Sequence, residues 1–150
     1  MTRFDWYRRW LVADGCLISG FGVVMAVTSG TQLFAPFHEL VNPAFWSAAE
    51  PDRATAEFQA WVYGTWGATA AGWGLVVAFV AHHAIGRRQR WAWWALALGV
   101  SFWFVLDTAI SLVHGVAFNV LFNVVVAGLV AAPLVATRSL ARRQPPGSGR

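Results

Sequence analysis

Four long apolar segments dominate the chain, and its basic residues stand at the ends of these segments. Each segment reaches the ~20 residues that an α-helix needs to cross the ~30 Å hydrocarbon core of a bilayer. We therefore predict an all-α membrane protein with four transmembrane helices, which form one domain over residues 1–137. The four predicted spans cover about residues 10–34, 58–85, 91–114 and 118–137.

All eleven basic residues are arginines, and ten of them fall on one side of this predicted topology. Cytoplasmic loops carry an excess of Lys and Arg, so we predict that both termini are cytoplasmic. The absence of lysine suggests a GC-rich bacterial genome, and the expected location is a bacterial inner membrane. Arg53 is the exception, in a loop with four acidic residues. The ten others are Arg3, Arg8, Arg9, Arg87, Arg88, Arg90, Arg138, Arg142, Arg143 and Arg150.

The composition excludes several classes of protein. The chain is 57% hydrophobic and 12% charged, and a soluble domain carries about twice that charged fraction. Its net charge of +4 does not indicate nucleic acid as a partner, because the arginines flank apolar spans and form no basic face. Membrane lipids are the expected partners. The ten tryptophans suit anchoring at the membrane interfaces, and the single Cys16 cannot form an internal disulfide.

The connections between the spans predict how the helices are arranged. Two of them are short, so successive helices should be antiparallel neighbours in a four-helix bundle. The third, residues 35–56, contains three prolines and cannot be one helix. Asn42-Pro43 and Ser47-x-x-Glu50 resemble helix starts, so we expect short helical turns on the outer surface, which could act as a lid. Residues 138–150 should be a basic, disordered cytoplasmic tail.

Small residues recur every four positions on the first two spans. Such stripes let helix backbones approach closely in lipid, and we favour a contact within one chain over one between protomers. The two stripes are Gly22, Ala26 and Gly30 on the first span and Ala60, Gly64, Ala68 and Gly72 on the second.

The third span carries the most informative polar residues. Asp107, Ser111 and His114 share one helical face, and Asp107 should lie roughly 24 Å from the inner surface, within the hydrocarbon. A carboxylate there costs about 2.5–3.5 kcal/mol, so it should face the bundle interior. We predict a polar, ligand-binding pocket in the outer half of the bundle. Its candidate residues are Gln32, Tyr63, Trp103, Asp107, Ser111, His114, Asn119 and Asn123.

A structural explanation competes with this prediction. Asp107 could simply bond Asn119 or Asn123 and hold two helices together, and Ser111 could bond its own helix backbone. For Asp107 the two explanations have equal weight. For His114 and the two asparagines, the structural or interfacial role is favoured.

Other polar residues give no further site. The four histidines lie at opposite ends of the predicted bundle or in a loop, without H-x-x-x-H spacing, so neither a metal nor another cofactor is predicted. Asp14 should pair with a nearby arginine at the inner surface. No phosphate-binding, dinucleotide-binding or nucleophile-elbow motif occurs in a usable context.

These observations support three functional hypotheses. The preferred one is a non-catalytic protein that binds a lipid-like or apolar ligand from the outer leaflet. The second is an accessory subunit of a larger membrane complex. A homo-oligomer is a separate possibility for the partners. The third is a membrane enzyme that uses Asp107 and His114 as an acid/base pair, which would need water or substrate between them because they stand about 10 Å apart along the helix. Proton-coupled transport is weaker, since no broken-helix repeat is visible.

Overall fold

The computed structural model describes residues 2–46 and 51–139, and within these ranges the chain is all-helical. A short helix, α2, lies between the first two of four long helices. The four long helices are long and apolar enough to cross a membrane. In chain order the helices are α1 (Arg3–Thr28), α2 (Ala35–Val41), α3 (Arg53–Val80), α4 (Arg90–Val113) and α5 (Ala117–Ala136), and a π-helical turn (Ala81–Ile85) continues α3.

The first span differs most from its predicted bounds of 10–34. Helix α1 begins at Arg3 because Thr2 and Asp5 form a capping box, in which each side chain accepts a hydrogen bond from the other's backbone N–H. It ends at Thr28, where the chain turns toward α2. Hydropathy marks the apolar part of a helix, and capping residues mark its true ends.

The second span also begins ahead of its apolar part. Asp52 caps α3 by accepting a hydrogen bond from the backbone N–H of Thr55 at 2.8 Å. In the preceding connection, α2 and a 3-10 turn (Asn42–Ala44) confirm the expected short helical turns. The predicted Ser47-x-x-Glu50 box, and the predicted tail from residue 140 onward, lie outside the described residues.

Contacts between the long helices make every neighbouring pair antiparallel. The indole N–H of Trp93, near the start of α4, donates to the carbonyl oxygen of Leu134, near the end of α5. Phe21 of α1 contacts Phe122 of α5 at 5.4 Å between ring centroids. Helix α1 packs on α3 and α5, and α4 packs on α5 and the π turn. The result is an up-down-up-down bundle.

The two ends of the bundle differ in chemistry. At one end the start of α1, the turn between α3 and α4, and the end of α5 come together. We call this the basic end, because Arg3, Arg88 and their neighbours lie there. The other end carries α2, and we call it the α2 end. The buried core runs from the basic end to mid-bundle and includes Leu11, Val77, Ala81, Ile85, Ala92, Leu96, Val100, Val130 and Leu134.

Glycines bring α1 and α3 into backbone contact. A Cβ atom added at Gly15 or Gly22 would collide with the backbone of α3, and one at Gly67 or Gly74 would collide with the backbone of α1. These pairs are seven residues apart, whereas the stripe predicted on the second span had a four-residue repeat. Space around Gly72 is open, so that part of the stripe is wrong. A helix turns every 3.6 residues, so a strict four-residue row drifts off the contact face.

Candidate functional site

Asp107 stands at the centre of a hydrogen-bonded cluster between α4 and α5. Its Oδ1 atom accepts from the amide Nδ2 of Asn119 at 2.6 Å and from that of Asn123 at 3.1 Å. The two asparagines lie one turn apart on α5, which lets both amides reach the same oxygen. These contacts form the helix-joining arrangement that the structural explanation required.

Ser111 completes the cluster but adds little to the carboxylate. Its hydroxyl lies 2.7 Å from the backbone carbonyl of Asp107 and 3.3 Å from Oδ1. A serine hydroxyl has one proton, and the shorter distance assigns that proton to the carbonyl. The hydroxyl oxygen in turn accepts from Asn119 Nδ2 at 2.7 Å. Ser111 therefore orients Asn119 and leaves the carboxylate with two amide donors.

Two acceptors in this cluster remain unused. The hydrogen bonds that reach the carboxyl group all converge on Oδ1, and no donor from residues 2–46 or 51–139 reaches Oδ2. Asn123 is only 1% exposed, and its Oδ1 has no hydrogen-bond partner in the part of the chain that the structure describes. Its amide nitrogen already serves Asp107, which fixes which way the amide points. The cluster thus combines a carboxylate oxygen and an amide oxygen that both lack a donor.

The face of α4 that carries Asp107 is directed into the bundle. Trp103 precedes Asp107 by one turn on the same face, and its ring lies 6.3 Å from that of Trp73 on α3. Asp107 itself bonds to α5, so this face looks toward the space between α3 and α5. The side chain is half-buried, which leaves part of the carboxyl group accessible.

His114 and Gln32, two predicted ligand residues, lie away from the cluster. Helix α4 ends at Val113, and His114 caps it in an exposed position, with its ring 6.0 Å from that of Phe45. Gly115 adopts φ +71° immediately afterwards, so the chain turns away from α4 directly after His114. Gln32 is exposed in a 3-10 turn before α2. The structure does not bring Asp107 and His114 together.

Tyr63, another predicted ligand residue, belongs to a separate aromatic cluster beneath α2. Its ring lies 5.6 Å from Phe34, 5.2 Å from Phe37 and 5.6 Å from His38. Phe37 also contacts Phe118, the residue before Asn119, at 5.6 Å. Helix α2 therefore packs across the end of the bundle, beside the Asp107 cluster.

His38 belongs to this aromatic cluster, and the sequence analysis did not predict its place there. Its Nε2 atom is buried and has no hydrogen-bond partner within residues 2–46 and 51–139, and burial lowers the pKa of the imidazole. The signal was present in the spacing of Phe34, Phe37 and His38, which places three rings on one side of a short helix. The connection is tethered to α3 by Gln59, which donates to Asn42 Oδ1 at 2.9 Å.

Asp14 was predicted to pair with an arginine, and the structure overturns this prediction. The residue is 4% exposed, and its Oδ2 has no hydrogen-bond partner among the described residues. Arg8, one of the expected candidates, reaches instead toward the carbonyl oxygen of His82 in the π turn, at 3.5 Å. Close packing at Gly15 draws the adjacent Asp14 into the bundle, away from the aqueous surface.

The Asp107 cluster can accept hydrogen bonds from a ligand, and its Ser111 hydroxyl donates to the backbone carbonyl of Asp107. Within residues 2–46 and 51–139, no group of three or more His, Cys, Asp or Glu side chains is arranged to hold a metal ion. The carboxyl and amide oxygens of the cluster can accept a hydrogen bond from a donor group, such as a hydroxyl or an ammonium. No protein-family model matches this chain, and no curated protein or solved structure matches it either.

Proposed function

We propose that this chain is a non-catalytic protein of a bacterial inner membrane that binds a lipid-like ligand through Asp107. In this proposal the basic end is cytoplasmic, so α2 and the Asp107 cluster lie in the outer half of the membrane. The concentration of arginines at the basic end supports this orientation. Arg53 lies beyond the opposite end of the bundle and is paired there with Glu57.

The observation that carries the proposal is the pair of unused acceptors. A polar group buried without its hydrogen bond destabilises a fold by about 1–3 kcal/mol, so the buried Asn123 Oδ1 needs a donor. Asp107 Oδ2 belongs to a half-buried side chain and is open to a donor from a ligand. A ligand hydroxyl or ammonium would supply that donor. Its apolar part would lie along Trp103 and Trp73, and such mixed linings are typical of small-molecule sites.

Helix α2 fits the role of a cover for this ligand. The side chain of Phe37 contacts Phe118, next to the cluster. Asn42, at the end of α2, accepts a hydrogen bond from Gln59 of α3. A seven-residue helix can open without unfolding the four long helices, and its opening breaks the ring contacts of Phe37 and His38 with Tyr63. We propose that the ligand enters when α2 moves away from α5.

The ligand's donor group is tested with two probes, of which only one carries a hydrogen-bond donor. A long-chain alcohol and its methyl ether have nearly the same apolar surface, and only the alcohol can donate a hydrogen bond. Quenching of tryptophan fluorescence reports binding in detergent micelles. We expect the alcohol to bind roughly tenfold more tightly than the ether, because a hydrogen bond to a charged group contributes about 1.5–3 kcal/mol.

The control variants separate Asp107 from a general change of charge. Asp107→Asn removes the Oδ2 acceptor and should abolish the preference for the alcohol. Glu39→Gln removes one carboxylate from an exposed position of α2 and should leave the preference unchanged. Equal binding of the two probes to the unaltered protein would refute the proposed donor site.

A further inference from the structure

A cleft of about 330 Å³ opens at the basic end of the bundle. Three segments that are distant in sequence build it: the first turns of α1, the turn between α3 and α4, and the end of α5. The residues that matter for its chemistry are Arg3, Phe4, Tyr7, Arg88, Thr137 and Ser139. It lies at the opposite end from the Asp107 cluster and has no part in the ligand site proposed there.

The cleft is positively charged, and none of the described residues that line it is acidic. Arg3 and Arg88 both line it, and neither forms an ion pair within the part of the chain that the structure describes. Tyr7 and Ser139 add two hydroxyl groups. The hydroxyl of Thr137 is not available, because it donates to the carbonyl oxygen of Pro133 at 2.8 Å. The cleft therefore offers two guanidinium groups and two hydroxyls without a matching anion.

Arg88 is held in place at the cleft. Its backbone adopts φ 58°, a left-handed conformation that costs an L-residue free energy and persists where the surroundings fix it. Its guanidinium carbon lies 4.5 Å from the centroid of the Phe4 ring, a cation–π contact across the cleft wall. Contact with the ring face leaves the guanidinium N–H groups at its edge free to donate.

We propose that this cleft binds a phosphate group. Guanidinium groups present paired N–H donors that match phosphate oxygens, and two of them can clamp one anion. The phosphate would come either from an anionic lipid headgroup or from a soluble phosphate ester. The lipid is favoured by position, because the cleft lies at the ends of membrane-spanning helices, at the depth of headgroups.

The test uses the full chain in detergent micelles and three probes. Phosphatidylglycerol carries the phosphate and the acyl chains, diacylglycerol carries the chains alone, and glycerol phosphate carries the phosphate alone. We expect phosphatidylglycerol to bind at least roughly tenfold more tightly than diacylglycerol. Displacement by glycerol phosphate at similar concentration would identify a soluble ester as the source, and failure to displace would identify the lipid. Equal binding of the two lipids would overturn the proposal.

Matched variants separate this cleft from general attraction to arginine. The double variant R3Q/R88Q removes both guanidinium groups and should weaken phosphatidylglycerol binding roughly tenfold or more. R87Q/R90Q removes the same charge from two positions at the same end that do not line the cleft, and it should weaken binding at most about twofold. Equal losses in the two double variants would show non-specific attraction and contradict the site.

Circular dichroism shows whether R3Q/R88Q folds. If it does not fold, two single variants keep the test decisive. Tyr7→Phe removes one hydroxyl and keeps both arginines, and R3Q changes only the first residue of α1. Each should weaken phosphatidylglycerol binding about threefold. Unchanged affinity in both single variants would overturn the proposal.

Discussion

The two oxygens of Asp107 have different surroundings, and this difference separates a structural role from a binding role. Oδ1 joins α4 to α5 through Asn119 and Asn123, and Oδ2 has no donor among the described residues. An asparagine at position 107 would keep an acceptor in place of Oδ1 and put an amide donor in place of Oδ2. One substitution can therefore remove the proposed binding function while it preserves the helix contact.

Stability measurements should distinguish the two substitutions at Asp107. We expect Asp107→Ala to destabilise the bundle by about 1–2 kcal/mol, because interhelical hydrogen bonds in membranes contribute about 0.6 kcal/mol on average and up to about 1.7 kcal/mol. Asp107→Asn should change stability by less than about 0.5 kcal/mol. Thermal unfolding in micelles measures both. If the two variants lose equal stability, Oδ1 is not the atom that joins the helices.

His38 should make the stability of the α2 end depend on pH. Burial lowers its pKa below the ordinary value of 6.5, so on acidification the unfolded chain binds the proton first. Stability is therefore full above pH 6.5 and is lost as the pH falls from there through the lower pKa of the folded protein.

The variant His38→Phe keeps an aromatic ring beside Phe34 and Tyr63 but cannot titrate. Between about pH 7.5 and about pH 5, the unaltered protein should lose stability relative to this variant. The slope should be well below the limit of about 1.4 kcal/mol per pH unit, because the half-buried imidazole remains partly solvated. Unfolding by denaturant across this range gives the difference, and parallel pH profiles would contradict the role of His38.

At the scale of helices, the sequence predicted which segments are helical and left open where they meet. Hydropathy identifies all four long helices because lipid requires about 20 apolar residues in each. It misplaces the start of α1, which the Thr2–Asp5 capping box sets outside the apolar segment. The α1–α3 contact was predicted in part, because Gly22, Ala26 and Gly64 of the predicted stripes lie at it. The seven-residue spacing of Gly67 and Gly74 was not predicted.

Two glycines of α3 test this seam. Gly67→Ala places a methyl group against the backbone of α1 and should destabilise the bundle by about 1–3 kcal/mol. Gly72→Ala, on the same helix with open space around it, should be neutral or slightly stabilising, because alanine is the better helix former. Thermal unfolding of the two variants measures the contrast. Comparable losses would place the α1–α3 contact elsewhere.

The candidate site could be predicted as far as helical geometry holds. Asp107, Ser111, Asn119 and Asn123 meet because turn-by-turn spacing on two adjacent helices is fixed by helix geometry. His114 was predicted to belong to the site, but it lies at the C-terminal cap of α4, away from the cluster. Spacing within one helix shows which residues share a face, but it does not show which residues of another element they pack against. Gln32, Tyr63 and Asp14 therefore occupy positions that the sequence did not predict.

At the scale of the whole molecule, the proposed orientation is tested by labelling. Cys16 is the only cysteine, so a Cys16→Ser background allows one new thiol at a time. A membrane-impermeant maleimide should label Ala54→Cys in intact spheroplasts, and it should label Gln89→Cys only after the membrane is permeabilised. Ala54 lies at the start of α3, and Gln89 lies beyond the other end of that helix, just before α4. The reverse pattern would contradict a cytoplasmic basic end.

The same bundle would hold a donor-bearing ligand near its α2 end and a phosphate at its basic end. Mild extraction followed by native mass spectrometry tests the first and central of these claims, with Glu39→Gln as the charge-matched control. We predict that the unaltered protein and the control retain a bound species besides bulk phospholipid, and that Asp107→Asn loses it. A spectrum with bulk phospholipid alone, identical in all three proteins, would contradict the claim.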